Sequence, residues 1–234
     1  MTSPGTDYPA LSAVIARTRY LLLDFDGPIC SIFAGLPAPA VAEKLRKLFA
    51  EPLPDEIANT SDPIEVFCYS ATVSDEMAAR VEAEMSDLEV AAIASADPTP
   101  YVHEVIASAR ESGRIIGVVS NNSARAVTAY LDHHGLIGGI ALIVARTSHD
   151  PALLKPSPHL ISKAVRGLNA DPAASTLVGD SLTDIEAAHS AGIASIGYAN
   201  QPGKRENMTQ AQAEAVITSM ADLALSLRAS RPPE

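Results

Sequence analysis

The sequence predicts an α/β fold, in which a Rossmann-like parallel sheet with helices on both faces carries a small all-helical second domain. Three observations lead to this prediction. Short, continuously apolar runs recur along the chain, which is typical of strands buried on both faces. Beyond Pro100 these runs alternate with amphipathic stretches, as expected for a parallel sheet with helical crossovers. Residues 39–96 instead have a purely helical pattern, which indicates a separate unit within the usual size range of a small subdomain.

Composition restricts the classes of function. The chain has 234 residues, of which 47% are hydrophobic, enough for a substantial core. Its formal net charge of -11, with scattered Lys and Arg, opposes nucleic-acid binding. Two cysteines, Cys30 and Cys68, favour a reduced compartment. We see neither a signal-peptide pattern nor a membrane-spanning run. We therefore expect a soluble, cytoplasmic protein without a nucleic-acid or membrane partner, and the oligomeric state is left open.

The first strand is the apolar run at residues 20–23, which stops at the sequence Asp24-Phe25-Asp26-Gly27. Residues 1–17 precede it as a short helix or an irregular lead-in. Residues 28–35 are apolar but end at a glycine, with prolines close behind, which favours a flap or hinge over a continuing strand.

The helical insertion follows the flap. Val41, Leu45 and Leu48 recur at helical spacing, and further helices are predicted over residues 62–71 and 74–96, the last beginning at Ser74. We assign residues 35–97 to this helical domain. Residues 1–34 and 98–234 then form the α/β core.

The second part of the core has a regular alternation. Glycines directly after two of the helical patterns mark their ends. The predicted helices are 101–112, 123–134, 158–167, 183–191 and 219–227, and the predicted strands are 114–119, 140–145, 175–180, 194–198 and 215–217.

Polar residues follow several of these apolar runs. Ser120-Asn121-Asn122 comes after one strand, Lys155 stands before Pro156, and Gly179-Asp180-Ser181-Leu182-Thr183-Asp184 ends another. Each has an ordinary structural explanation, such as a turn, a helix cap or a solvated lysine. Because the carboxyl ends of parallel strands meet at one edge, where ligands bind, their joint occurrence with Asp24 and Asp26 favours a shared site.

These four segments resemble the motifs of the haloacid dehalogenase superfamily, in its phosphatase-like branch. The helical insertion stands where that family has a cap after its first core strand. The resemblance implies that Asp24 is the nucleophile, Asp26 the general acid and base, and Ser120 and Lys155 the phosphate-holding residues. Pro28 departs from the family pattern, which usually has Thr or Val there, and it removes one backbone donor.

The same resemblance implies a magnesium ligand at Asp180, with Asp184 nearby. Phosphate monoesters react so slowly that an enzyme must lower the barrier by roughly 20 kcal/mol or more, and crowded carboxylates repel a phosphate dianion. We therefore expect Mg²⁺ held by Asp24, the Asp26 carbonyl and Asp180. The amides of Asp26, Gly27 and Asn121 remain available to phosphate oxygens.

The predicted function is magnesium-dependent hydrolysis of a small phosphate ester through an aspartyl phosphate. A phosphomutase or phosphotransferase of the same superfamily and a non-catalytic phosphate-binding regulatory module remain alternatives. Asp26 argues against a dehalogenase, and the solvated surroundings of Lys44 and Lys47 argue against a phosphonate-cleaving enzyme. The candidate substrate contacts before and within the insertion are Phe33, Arg46, Asp62, Glu65 and Tyr69.

Overall fold

The computed structural model describes residues 5–232 and confirms the α/β fold. Within these residues one parallel sheet has the order β3-β2-β1-β4-β5-β6. Its strands are β1 (Tyr20–Leu23), β2 (Ile115–Ser123), β3 (Leu142–Arg146), β4 (Ser175–Gly179), β5 (Ala194–Tyr198) and β6 (Ala215–Ile217). Strand β1 therefore lies between β2 and β4, and Leu23 is in register with both Val118 and Val178. The residues that follow these three strands meet at one edge of the sheet.

Helices surround this sheet on both faces. They are α1 (Tyr8–Arg17), α2 (Ala38–Arg46), α3 (Asp55–Asn59), α4 (Pro63–Val73), α5 (Asp75–Ala92), α6 (Val102–Glu111), α7 (Ala124–His133), α8 (His159–Gly167), α9 (Leu182–Ser190), α10 (Lys204–Gln210) and α11 (Met220–Ala229). One apolar cluster includes residues of α1, α6, α7 and α11. A second includes residues of α8 and α9, together with α2, α4 and α5 of the insertion.

The continuous apolar run of β1 accounts for this two-sided packing. Successive side chains of a strand point to opposite faces. Accordingly, Leu21 and Leu23 belong to the first cluster and Leu22 to the second. All three are fully buried, so both faces of the central strand contribute to the core.

The insertion consists of α2 to α5, of which α2, α4 and α5 correspond to predicted helices. Helix α5 begins where predicted, because the Ser74 hydroxyl accepts a hydrogen bond from the Met77 amide at 3.0 Å. The assignment of residues 35–97 to a separate domain stays a prediction. Residues 1–4 and 233–234 of the predicted core lie outside the described residues.

The sequence prediction is wrong at several element boundaries. Strand β2 continues through Ser123 instead of ending at residue 119, with a register shift between Ser120 and Ser123. Helices α3 and α10 are not among the predicted elements. Across residues 5–232, none of the helices combines the length and apolarity that a bilayer crossing requires.

Candidate active site

A cavity of about 340 Å³ lies at the carboxyl ends of β1, β2 and β4. This volume is at the lower end of the range for small-molecule sites. The core contributes Asp24, Asp26, Asn121, Asn122, Lys155, Asp180, Ser181 and Thr183 to its lining. The flap and insertion contribute Phe33, Ala38, Ser61, Asp62, Pro63, Ile64 and Met85.

Asp24 lies at the centre of the charged residues. Its backbone amide continues the ladder of β1 by donating to the Val178 carbonyl at 2.9 Å. Its carboxylate Oδ1 accepts from the Phe25 amide at 2.7 Å and lies 2.8 Å from Lys155 Nζ. Burial, followed by the charge of Asp184, raises the pKa of the Asp24 carboxyl well above its usual value, although Lys155 opposes this shift.

The loop after β1 turns sharply at Gly27. Its φ angle is +96°, and a Cβ at this position would overlap the Asp180 side chain, so glycine is needed for both reasons. The Gly27 amide donates to the Cys30 carbonyl at 2.6 Å. The loop therefore already uses this amide, and its predicted role in binding a phosphate oxygen stays a prediction that requires it to exchange its present partner.

Asp26 lines the cavity beside Asp24. Its Oδ1 accepts a hydrogen bond from the Ile32 amide at 3.0 Å. Burial raises the pKa of the Asp26 carboxyl to about 6, against the opposing effect of that hydrogen bond. Its pKa suits a group that donates a proton in one step and accepts one in the next.

Lys155 is buried between two carboxylates. Its Nζ lies 2.5 Å from Asp184 Oδ1 and 2.8 Å from Asp24 Oδ1. Burial alone would lower the pKa of this ammonium group, but the charges of Asp184 and Asp24 outweigh it and the net shift is upward. Lys155 therefore stays positively charged at neutral pH.

Asn121 joins the end of β2 to the segment that carries Lys155. Its side-chain Oδ1 accepts from the Lys155 amide at 2.9 Å, and its Nδ2 donates to the Lys155 carbonyl at 3.1 Å. The peptide bond between Lys155 and Pro156 is cis. This pair of hydrogen bonds positions the backbone of Lys155 relative to Asp24.

Ser120 lies beneath the cavity and is fully buried. Its hydroxyl donates to Asn122 Oδ1 at 3.1 Å and accepts from the Asn122 amide at 3.0 Å. Neither Ser120 nor Gly27 is among the residues that line the cavity. A role for Ser120 in holding phosphate stays a prediction, and it requires the hydroxyl to exchange its present partner.

The carboxylates form a group suited to a divalent cation. Oxygen atoms of Asp24, Asp180 and Asp184 all lie within 4.8 Å of one another, and Mg²⁺ prefers such oxygen ligands. Asp184 also forms a capping box with Ser181 at the start of α9. The Asp26 carboxylate does not belong to this group, so its predicted metal contact rests on the backbone carbonyl.

Sequence reasoning missed Lys204 at the start of α10. Its Nζ lies 2.6 Å from Asp180 Oδ2, and Asn200 Nδ2 donates to the same oxygen at 3.0 Å. The available signal was position: both residues follow β5, whose carboxyl end is at the same edge of the sheet.

Sequence reasoning also missed a buried ion pair between the insertion and the core. Glu89 of α5 lies 2.9 Å from Arg146 at the end of β3, and neither side chain is more than 1% exposed. Glu89 also accepts from Asn122 Nδ2 at 3.1 Å and from the Ser123 amide at 2.7 Å. It therefore links the helical insertion directly to the end of β2.

Of the five candidate substrate contacts, Phe33 and Asp62 line the cavity. Arg46, Glu65 and Tyr69 do not. Arg46 donates to the Thr60 carbonyl at 2.6 Å, Glu65 accepts from the Thr60 hydroxyl, and Tyr69 packs against Phe49.

Comparison with known proteins agrees with the family resemblance of the sequence motifs. The family model of haloacid dehalogenase-like hydrolases matches residues 22–198. A phosphoglycolate phosphatase from Neisseria meningitidis is 27% identical, over 80% of this chain and 83% of that protein. Those from Mesorhizobium japonicum and Synechococcus elongatus are 31% and 27% identical, and the matches span 41% and 56% of their lengths.

Solved structures share the fold. A predicted phosphatase from Clostridium acetobutylicum has a TM-score of 0.72 and 18% identity, over 90% of this chain and 98% of that one. A mutant of CbbY from Rhodobacter sphaeroides, in complex with xylulose-(1,5)bisphosphate, has a TM-score of 0.63 and 22% identity, over 87% and 95% of the two chains. At these identities the likeness establishes the architecture of the sheet and its helices.

Proposed function

This chain belongs to the haloacid dehalogenase-like hydrolases, and we propose that it is a magnesium-dependent phosphatase acting on a small phosphate monoester. The observation that carries the proposal is the surroundings of Asp24. The buried ammonium group of Lys155 lies 2.8 Å from this carboxylate. Asp180, which lines the cavity, and Asp184 lie close to it. Such a site combines a nucleophile, a fixed positive charge and a cation-binding group.

In the first half of the reaction, a carboxylate oxygen of Asp24 forms a bond to phosphorus. The bond between phosphorus and the alcohol oxygen breaks, and its electron pair leaves with that oxygen. Asp26 donates its proton to the leaving oxygen, which departs as the neutral alcohol. The raised pKa of Asp26 supports this role, since a carboxyl with an ordinary pKa holds few protons near neutrality.

In the second half, water hydrolyses the aspartyl phosphate. Asp26, now ionised, accepts a proton from the water as its oxygen bonds to phosphorus. The bond from phosphorus to Asp24 breaks, which restores the carboxylate and releases inorganic phosphate. Lys155 stabilises negative charge in both halves, because its ammonium group is held in place by Asp184 and does not reorganise during the reaction.

Mg²⁺ would be held by Asp24, the Asp26 carbonyl and Asp180. Two unit charges of like sign about 4 Å apart repel by on the order of 4 kcal/mol at an effective dielectric near 20, and the site places several carboxylates near the phosphate. When bound, the ion supplies positive charge that offsets this repulsion. Asp184 is fully buried and paired with Lys155, so it orients the lysine, and its carboxylate would also lie beside the ion.

The test is phosphate release from a panel of phosphate esters, with Mg²⁺ or with a chelator and without any acceptor sugar. We expect release that requires the metal and disappears in Asp24→Asn, while circular dichroism of the variant stays that of the parent. Asp55→Asn, an exposed acid on α3, serves as the control and should keep full activity. A fully active Asp24→Asn protein contradicts the nucleophile assignment. If the phosphoryl group is transferred only after an acceptor sugar is added to the assay, the result supports a phosphomutase. If the esters bind but none is hydrolysed, the result supports a regulatory module.

A further inference from the structure

The two walls of the cavity differ in charge. The core wall carries the acids and the lysine of the proposed reaction. On the wall formed by the flap and insertion, the ionisable residue is Asp62, and the other side chains include the apolar groups of Phe33, Pro63, Ile64 and Met85. Among the described residues that line the whole cavity, Lys155 is the one cation. It is already paired with Asp24 and Asp184.

Three cationic side chains of the insertion and of β3 are bound to other groups. Arg46 donates to the Thr60 carbonyl at 2.6 Å, and Lys47 pairs with Glu43 at 2.7 Å. Arg146 is held by Glu89 and has a side-chain exposure of 1%. None of the three lines the cavity, so a second anionic group on a substrate has no positive partner there.

Asp62 is oriented by its own helix. As the N-cap of α4 it accepts a hydrogen bond from the Ile64 amide through Oδ1 at 2.8 Å. Its amide donates to the Thr60 hydroxyl at 3.0 Å. These bonds fix the residue at the cavity wall, and a carboxylate has lone pairs beyond the one that the Ile64 amide uses.

From this distribution we infer that the alcohol half of the substrate carries hydroxyl or amino donors and no second anionic group, with Asp62 as the residue that selects for them. The inference rests on the proposed phosphatase function and narrows its substrate class. It also separates this chain from its named relatives, because phosphoglycolate carries a carboxylate, which the negative charge of Asp62 would repel. A short hydroxyalkyl or aminoalkyl phosphate instead offers donors to Asp62 and carbon atoms to the apolar side chains.

The experiment compares three two-carbon esters that differ only in the terminal group: 2-hydroxyethyl phosphate, 2-aminoethyl phosphate and phosphoglycolate. The full chain is assayed with Mg²⁺, and p-nitrophenyl phosphate reports phosphatase activity independently of terminal-group recognition. We expect kcat/KM for the first two esters to exceed that for phosphoglycolate by at least about tenfold, or 1.4 kcal/mol. If the three turn over too slowly to compare, their inhibition constants against p-nitrophenyl phosphate are expected to follow the same order.

Asp62→Asn tests the assigned residue, since asparagine also caps helices well. We expect the ratio of aminoethyl phosphate to phosphoglycolate activity to fall about tenfold or more in this variant. Glu56→Gln removes an exposed charge on α3 that does not line the cavity and should leave the ratio unchanged. Phosphoglycolate turnover equal to the other esters, or an unchanged ratio in Asp62→Asn, overturns the inference alone. If the unsubstituted chain hydrolyses none of the esters, including p-nitrophenyl phosphate, the proposed function is overturned and the inference with it.

Discussion

Glu89 is the buried carboxylate that links the helical insertion to the core, and its neutralisation tests the geometry of that link. The carboxylate accepts four hydrogen bonds, two from Arg146, one from Asn122 and one from the Ser123 amide. In Glu89→Gln the side chain keeps its shape, but an NH₂ group replaces one oxygen and faces two donors. The buried guanidinium of Arg146 then loses part of the negative charge that balances it.

The expected cost follows from these contacts. Hydrogen bonds to charged groups contribute about 1.5–3 kcal/mol each, and two of the four are lost. Removing one partner of a buried ion pair typically costs about 3–5 kcal/mol. We therefore expect Glu89→Gln to lower the free energy of unfolding by about 3–5 kcal/mol. For a chain of this size the melting temperature should fall by about 6–20 °C.

Urea unfolding followed by circular dichroism measures this change. Glu76→Gln, an exposed residue on the same helix, is the matched control and should change stability by less than about 1 kcal/mol. In a double-mutant cycle with Arg146→Gln, we expect a coupling energy of about 0.5–3 kcal/mol. If Glu89→Gln lowers the free energy of unfolding by less than about 1 kcal/mol and shows no coupling energy with Arg146→Gln, the buried ion pair between Glu89 and Arg146 is refuted.

The remaining predictions concern the cation-binding residues. Lys204→Gln should tighten Mg²⁺ binding by about tenfold or less in calorimetry, because the partly exposed ammonium group competes with the ion for Asp180. The control is Arg205→Gln, which removes the neighbouring exposed cation. Weaker Mg²⁺ binding in Lys204→Gln would contradict this competition. Mg²⁺ at one hundred times its dissociation constant should stabilise the folded chain by about 2.7 kcal/mol in thermal unfolding. Asp180→Asn should abolish that stabilisation, and its persistence excludes Asp180 as a ligand.

Local sequence signals identified the strand-end acids and Lys155 as candidate site residues, although not the burial of the lysine. Asp24 and Asp180 each follow an apolar strand, and parallel pairing brings such ends together regardless of the distance along the chain. The same signal was present at Arg146, which follows the apolar run of β3, but its partner Glu89 lies 57 residues away. No local pattern connects the two, because the contact depends on how α5 packs against the sheet.

The other differences arise from short polar segments and from side-chain rotation. Helix α10 buries Met208 alone, so it lacks the apolar periodicity that marks an amphipathic helix, and Lys204 was missed with it. The orientation of the Ser120 hydroxyl depends on Asn122, two residues along the chain. Spacing in the sequence places a residue on a strand, but it does not determine which neighbour its hydroxyl binds.

The central claim is that a phosphoryl group passes through the carboxylate of Asp24. The most direct measurement is to mix the enzyme and Mg²⁺ with radiolabelled p-nitrophenyl phosphate, quench with acid within one turnover, and locate the label by peptide mapping. We expect an acid-stable, base-labile label on the peptide that contains Asp24, and none in Asp24→Asn. Rapid release of labelled phosphate with no protein-bound label at any time, or a label on another residue, would contradict it.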